Sequence, residues 1–262
     1  MTGLTDTLPR IALTGTVWIA ADMHMSPAVA DTNEAFVAFL GAAADSADAL
    51  VLPGDIFDAW IGDDVVDVAP PWLADILRAL AATAKAIPVW VGHGNRDFLM
   101  GERLAGLLGV KLLPAQVILV TDAGELLLSH GDELCTDDVP YQQMRAVVRN
   151  PAWQAEMLAK PLAERMQIAA SLRAQSEAGK AGKSMEIMDV NADAVCAALR
   201  AAGVRRLVHG HTHRPGHHRF LLDGQAVERW VLPDWDLTAT PPRGGWLAID
   251  RDGPAIHDIE IA

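Results

Sequence analysis

The chain has 262 residues, 51% apolar and 21% charged, with a net charge of −13. This composition supports a sizeable core and excludes a disordered chain; so acidic a molecule has no global attraction for phosphate backbones, which excludes a nucleic-acid-coating role. Cys135 and Cys196 stand alone, without CxxC partners, and read as inert thiols of a reduced, cytosolic chain; no secretory signal and no spanning run of roughly 18 apolar residues is present.

In chain order, Met1–Gly15 reads as a dispensable extension. Thr16–Ala21 (TVWIAA) is a short apolar strand ending at Asp22. Thr32–Ala44 has helical spacing, with Ala35, Phe36, Phe39 and Leu40 on one stripe. Ala49–Leu52 is a buried strand that stops at Pro-Gly-Asp, Trp72–Ala86 is helical, and Pro88–Val91 is a strand ending in GHGNRD. Strands alternating with helices predict a parallel-rich α/β core. Val117–Thr121 and Glu125–Ser129 flank a tight turn, and the second runs into His130-Gly131-Asp132. Arg205–Val208 delivers His209-Gly210-His211. Arg219–Leu222, Val227–Leu232 and Trp246–Ile249 predict a second, more antiparallel sheet in the tail, with a turn at Asp223-Gly224. The expected architecture is two sheets packed face to face with helices outside.

Residues 141–183 break this pattern. They hold no strand-like run, and Met144, Val147, Val148, Met157, Leu158, Leu162, Met166, Ile168 and Leu172 suit two or more amphipathic helices. Seven basic residues (Arg145, Arg149, Lys160, Arg165, Arg173, Lys180, Lys183) against Glu156, Glu164 and Glu177 give this segment +4. The expected division is a core of residues 1–140 and 184–262 with a helical cap inserted at 141–183. The basic residues read either as a solvated helix surface or as a lid over an anionic substrate.

Five polar clusters stand where apolar strands stop: Asp22-x-His24, Gly54-Asp55, Gly94-Asn95-Arg96-Asp97, His130-Gly131-Asp132 and His209-Gly210-His211. Ligand sites of α/β sheets lie at the carboxyl ends of strands, so these clusters are expected to converge at the rim of one sheet. Taken singly each has a bland reading: DxH and GD occur in turns, and Asn95 to Asp97 suits a helix N-cap. HGH is stronger, because alternate residues on an extended stretch need local bending to share a site. Carboxylates, imidazoles and one amide suit a pair of divalent cations, Mn²⁺ first, with Fe, Co, Zn or Mg as rivals. Asp55 is the natural bridge, since a carboxylate has two oxygens to share.

In this order the motifs resemble the calcineurin-like metallophosphoesterase superfamily. The resemblance implies a helix-flanked β-sandwich with one ion on Asp22, His24, Asp55 and His211 and a second on Asp55, Asn95, His130 and His209. Many members carry a histidine general acid after the motif Asn; here the residue is Arg96. Arginine holds its proton but stabilises phosphoryl charge, so the site suits a leaving group that needs no proton, such as a phosphate. This argues against a phosphomonoesterase or phosphodiesterase, although His93 stands close enough in sequence to supply a proton. The complete donor set argues against a non-catalytic scaffold.

GDIFDAWIGDD (from Gly54), GNRDFL (from Gly94), HGDELCTDD (from His130), YQQMRAVVRNP (from Tyr141), IMDVN (from Ile187) and HGHTHRP (from His209) are similar to the lipid A pathway family that hydrolyses UDP-2,3-diacylglucosamine. That similarity implies attack at the α-phosphate, giving 2,3-diacylglucosamine 1-phosphate (lipid X) and UMP, with two Mn²⁺ and catalytic roles for Asn95 and Arg96. It implies substrate contacts at Asn95, Arg96, Asp138, Ser176, Lys183 and His209, and at Lys180, where the family pattern has Asn. The cap is then expected to line an acyl cleft, with Arg149, Lys180 and Lys183 meeting phosphates. Peripheral contact with the anionic cytoplasmic face of the inner membrane is expected. His213, His217, His218, His257 and Trp60 carry no firm assignment, His213 reading as an orienting residue.

Overall fold

A computed structural model describes residues 7–180, 187 and 189–259, with side chains 175–180 outside that description. The strands are β1 (Arg10–Ala12), β2 (Val17–Ile19), β3 (Ala49–Leu52), β4 (Val89–Val91), β5 (Lys111–Leu112), β6 (Gln116–Thr121), β7 (Gly124–Ser129), β8 (Arg206–His209), β9 (Gly216–Leu222), β10 (Gln225–Val231), β11 (Gly245–Asp250) and β12 (Gly253–Asp258). The helices are α1 (Ala30–Ser46), α2 (Pro71–Ala86), α3 (Glu102–Leu108), α4 (Val139–Val148), α5 (Pro151–Leu158), α6 (Leu162–Lys180) and α7 (Ala192–Ala202). Two mixed six-stranded sheets result, ordered β1-β6-β7-β8-β10-β9 and β12-β11-β2-β3-β4-β5.

Strand alternation builds the layers. Val17 and Ile19 of β2, and Val51 of β3, face the other sheet and meet Val117, Leu119, Leu126, Leu128 and Val208 in one buried cluster. Their neighbours Trp18, Leu50 and Leu52 point outward and pack under Phe36, Phe39, Leu40, Ile76 and Leu80 of α1 and α2. On the far side Ile118, Leu127 and Leu207 pack with Val195 and Leu199 of α7. The order is therefore helices, sheet, sheet, helix.

Two sequence expectations fail here. Met1–Gly15 is not simply dispensable: β1 pairs parallel with β6, and Leu13 is buried in the inter-sheet cluster. Residues 1–6 lie outside the described residues. Nor does the tail form its own sheet. β8, β9 and β10 extend the sheet of β6 and β7, while β11 pairs antiparallel with β2 and carries β12 on its free side. Apolar β11 completes the buried middle of a sheet that is otherwise parallel, which hydrophobic patterning alone does not disclose.

Three helices, α4 to α6, occupy the expected helical segment. Asp138 caps α4 by accepting the Tyr141 N–H (3.2 Å), and Asn150 caps α5 by accepting that of Ala152 (2.8 Å). Among the described residues of the segment, Arg145, Arg149 and Arg165 turn their charge inward. Arg145 Nε donates to buried Asp132 (2.7 Å), and Arg165 is itself buried, donating to the Ile61 carbonyl (2.6 Å) and pairing with Asp64. Arg173 pairs with Asp58, and Lys160 with Glu164. Arg149 donates to the carbonyls of His93 (3.2 Å) and Gly94 (2.8 Å). It therefore holds a core loop.

Candidate metal centre

The site gathers at the carboxyl ends of five strands drawn from both sheets, not at the rim of one. Asp22 and His24 follow β2, Asp55 follows β3, Asn95 follows β4, His130 follows β7, and His211 follows β8. The outward ends of β2, β3 and β4 face those of β7 and β8 across the sandwich.

Local backbone geometry aims these groups. Asp22, His24, Asp55, His211 and His213 all have positive φ, between 48° and 67°. Non-glycine residues adopt this region at a cost, and it turns a side chain out of the strand's alternation. Backbone bonds from Asp22 N to Gly54 O (3.3 Å) and His24 N to Asp55 O (3.0 Å) lock the first two loops together. Asp97 is buried and accepts from Gly94 N (2.7 Å), Asp55 N (3.2 Å) and Ile56 N (2.8 Å). It thus fastens two loops together and is not a helix N-cap, since α3 begins only at Glu102. A Cβ on Gly94 would collide with Asp55, and one on Gly210 with Asp22, so both glycines permit close approach of the strand ends.

Two overlapping donor groups result. Asp22, His24 and His213 place ligand atoms within 4.8 Å of one another, and so do Asp22, Asp55 and His130. His24 Nε2 lies 3.7 Å from Asp55 Oδ2, and His130 Nε2 lies 3.7 Å from the same oxygen. Asn95 Oδ1 accepts from His211 Nδ1 (2.8 Å) and His130 Nε2 (3.3 Å). Asp55 Oδ1 accepts the Arg96 N–H (2.8 Å).

The structure brings His213, for which the sequence suggested only an orienting role, beside the carboxylates. His209 is the last residue of β8, fully buried, with Nδ1 on the Gly210 carbonyl (2.8 Å) and Nε2 without a hydrogen-bond partner; His211 instead reaches Asn95. His213 takes the place expected of a further histidine, its Nε2 3.6 Å from Asp22 Oδ1 and 3.1 Å from His24 Nε2. The reason is local: His209 still obeys strand alternation, whereas the left-handed turns at His211 and His213 release the next alternate pair towards the cluster. The repeated HxH of HGHTH carried the signal, since either adjacent pair fits the pattern.

Burial sets the protonation states. It pushes His24 down to about 3, against the pull of Asp22. His211 is likewise pushed down to about 3 by burial, with His130 adding to the effect, and His209 to about 4 by burial. Burial raises Asp55 to about 7, reinforced by Asp97 and Asp22 and opposed by His130. Burial also acts to raise Asp22, but the imidazoles of His213, His130 and His24 outweigh it and hold the carboxyl well below its ordinary range. Neutral His24 and His211, two crowded carboxylates and a buried Asp22 Oδ1 without a hydrogen-bond partner make a set of lone-pair donors, while the neighbouring carboxylates pull His130 and His213 upward. These residues fit divalent cations.

The remaining expected residues fall as follows. Arg96 and Asn95 line a cleft, open at its mouth, between the core loops and α4 to α6. Trp60, Phe98, Met144, Trp153, Met157 and Leu172 make most of it apolar, so Trp60 is both core and cleft wall. His93 Nε2 donates to the Met100 carbonyl (2.7 Å) and is engaged there. Asp138 caps α4. The Ser176 and Lys180 side chains, and Lys183, lie outside the described residues. Cys135 is buried, and burial pushes its thiol up to about 12, which agrees with inertness.

A helix-flanked double sheet with this donor set defines a metal-dependent phosphoesterase. Residues 15–215 match the family model of the calcineurin-like phosphoesterases, and the chain belongs to that family. At 60% identity it is similar to the UDP-2,3-diacylglucosamine hydrolase of Bordetella pertussis, over 95% of this chain and 97% of that protein. Proteins of the same name from Aromatoleum aromaticum (46% identity; 90% of this chain, 94% of that one) and Chromohalobacter salexigens (41%; 91% and 95%) are also similar.

Proposed function

We propose that this chain hydrolyses the diphosphate of UDP-2,3-diacylglucosamine at the α-phosphorus, releasing lipid X and UMP on the lipid A pathway. The observation that carries the reading is the junction of the donor cluster with an apolar cleft at Asn95 and Arg96. The relatives' shared name supports the substrate.

In this reading Asp22, His24 and His213 would hold one cation and Asn95, His130 and His211 a second, with Asp55 available to both. Bound divalent ions, Mn²⁺ first, would supply Lewis-acid charge to the phosphoryl oxygens and acidify the attacking water. The chain's own residues do the rest. Arg96 offers a planar fork of donors to charge developing on the diphosphate, and no group need protonate the departing phosphate. Asp97 and Arg149 fix the loop that carries Asn95 and Arg96. Residues 141–183 act as a cap over the core of residues 1–140 and 184–262; its Met144, Met157 and Leu172 give flexible apolar walls suited to acyl chains. Ser176, Lys180 and Lys183 are substrate contacts by family pattern, as is Asp138. No described helix is long and apolar enough to cross a membrane. A cytoplasmic enzyme that meets the inner membrane peripherally follows from the diacyl substrate.

Incubation with UDP-2,3-diacylglucosamine and Mn²⁺ in ¹⁸O-water tests the reading. Label in UMP is expected; label in lipid X, or no cleavage, contradicts it.

A further inference from the structure

We infer that Asp234 is a positioning residue of the metal centre, acting through His213. The inference rests on the proposed role of His213 as a cation ligand.

Asp234 is outside every strand-end motif read from the sequence, yet it follows β10 as those motifs follow their strands. β10 pairs parallel with β8, so its end arrives beside the end that delivers His211 and His213. The loop is firmly held there. Leu232 N donates to the His209 carbonyl (2.8 Å), and Trp235 N donates to the carbonyl of Asp22 itself (3.0 Å). The Trp235 indole donates to Gly245 O (3.0 Å) and packs edge-on against Phe36 and Phe39.

Between these anchors the Asp234 side chain is buried, 3% exposed, and its Oδ1 has no hydrogen-bond partner. Its Oδ2 accepts from Arg243 Nη2 (2.9 Å) and Nε (3.3 Å) and stands 3.7 Å from His213 Nδ1. The opposite nitrogen of the same ring, Nε2, points at Asp22 and His24. A carboxylate behind one imidazole nitrogen fixes the proton on that nitrogen and leaves the other lone pair free for a cation. His213 needs such support, because its φ of 53° is a conformation that its own backbone disfavours. Arg243, paired also with Asp236 (3.5 Å), holds the carboxylate in place.

Mn²⁺ titrations of the full chain, followed by electron paramagnetic resonance of free Mn²⁺, test this. Asp234→Asn is expected to weaken one binding step about tenfold to a hundredfold, the usual effect of removing such a partner. Thermal unfolding of the metal-free protein should stay close to wild type. His213→Ala should lose the same step, and the double variant should bind no more weakly than His213→Ala alone. Unchanged affinity in Asp234→Asn, or a loss that adds to that of His213→Ala, overturns the inference. Retention of both ions by His213→Ala would instead overturn the ligand reading beneath it. Should Asp234→Asn fail to fold, Arg243→Gln keeps the carboxylate but frees it. That variant is expected to weaken the same step several-fold, and no change would overturn the inference.

Discussion

Left-handed backbone at Asp22, His24, Asp55, His211 and His213 concentrates strain where the donors meet. Each such residue costs on the order of 1–3 kcal/mol, so the surroundings must over-determine it. Asp97, the paired loop bonds and the glycines that admit close contact do so here. Arg96 stands at the rim of this rigid cluster, with its N–H on Asp55 and its side chain at the cleft. Arg96→Ala should therefore lower kcat about 10²-fold or more while leaving metal content intact, the scale for loss of one transition-state charge donor. Kinetics alongside metal analysis decide it, and parallel loss of metal would make Arg96 structural. At this scale the convergence of Asp22, His24, Asp55, Asn95, His130 and His211 was legible in the sequence because each follows an apolar strand. His213 was not, since register within HGHTH depends on where strand alternation ends, and that is set by β8 pairing with β10.

Among the elements, α4 to α6 are tied to the core by charge. Buried Arg165 reaches from α6 to Ile61 and Asp64, and Arg173 reaches from the same helix to Asp58 at the cleft. Asp64 is about half exposed, so part of this pairing is screened. The guanidinium's bond to the Ile61 carbonyl is not screened, because both groups are buried. Arg165→Ala should destabilise the protein by about 2 kcal/mol, and it should raise KM more than it lowers kcat. Denaturant unfolding and steady-state kinetics measure both; an unchanged KM would separate the cleft from α6. The helical period of this segment was readable from Met and Leu spacing. The destination of its arginines was not, because an isolated sequence gives the charge of a helix but not the acidic loop that meets it.

For the whole molecule, a metal-free centre is a burden that cations relieve. Burial raises the Asp55 carboxyl to about 7, so without a cation beside it the group favours its protonated form. Its ionisation costs stability progressively as pH rises from about 4 towards 7, because the unfolded chain ionises it freely. Cations compete with that proton, so Mn²⁺ should raise the unfolding temperature more at about pH 8 than at about pH 5.5. Thermal melts with and without Mn²⁺ test this; an equal or reversed increment contradicts it. The two-sheet core was legible from alternating apolar runs, and the partition of the tail between sheets was not. β11 and β10 are similarly apolar, and only closure of the inter-sheet core by Leu247, Ile249 and Trp230 decides which sheet each one joins.

The central claim is a pair of cations sharing Asp55. Anomalous diffraction from crystals grown with Mn²⁺ tests it most directly. Two peaks about 3.5–4 Å apart are predicted, one against Asp22, His24 and His213 and the other against Asn95, His130 and His211, with Asp55 between them. A single peak, or a peak seated on His209 with His213 turned away, would contradict the account.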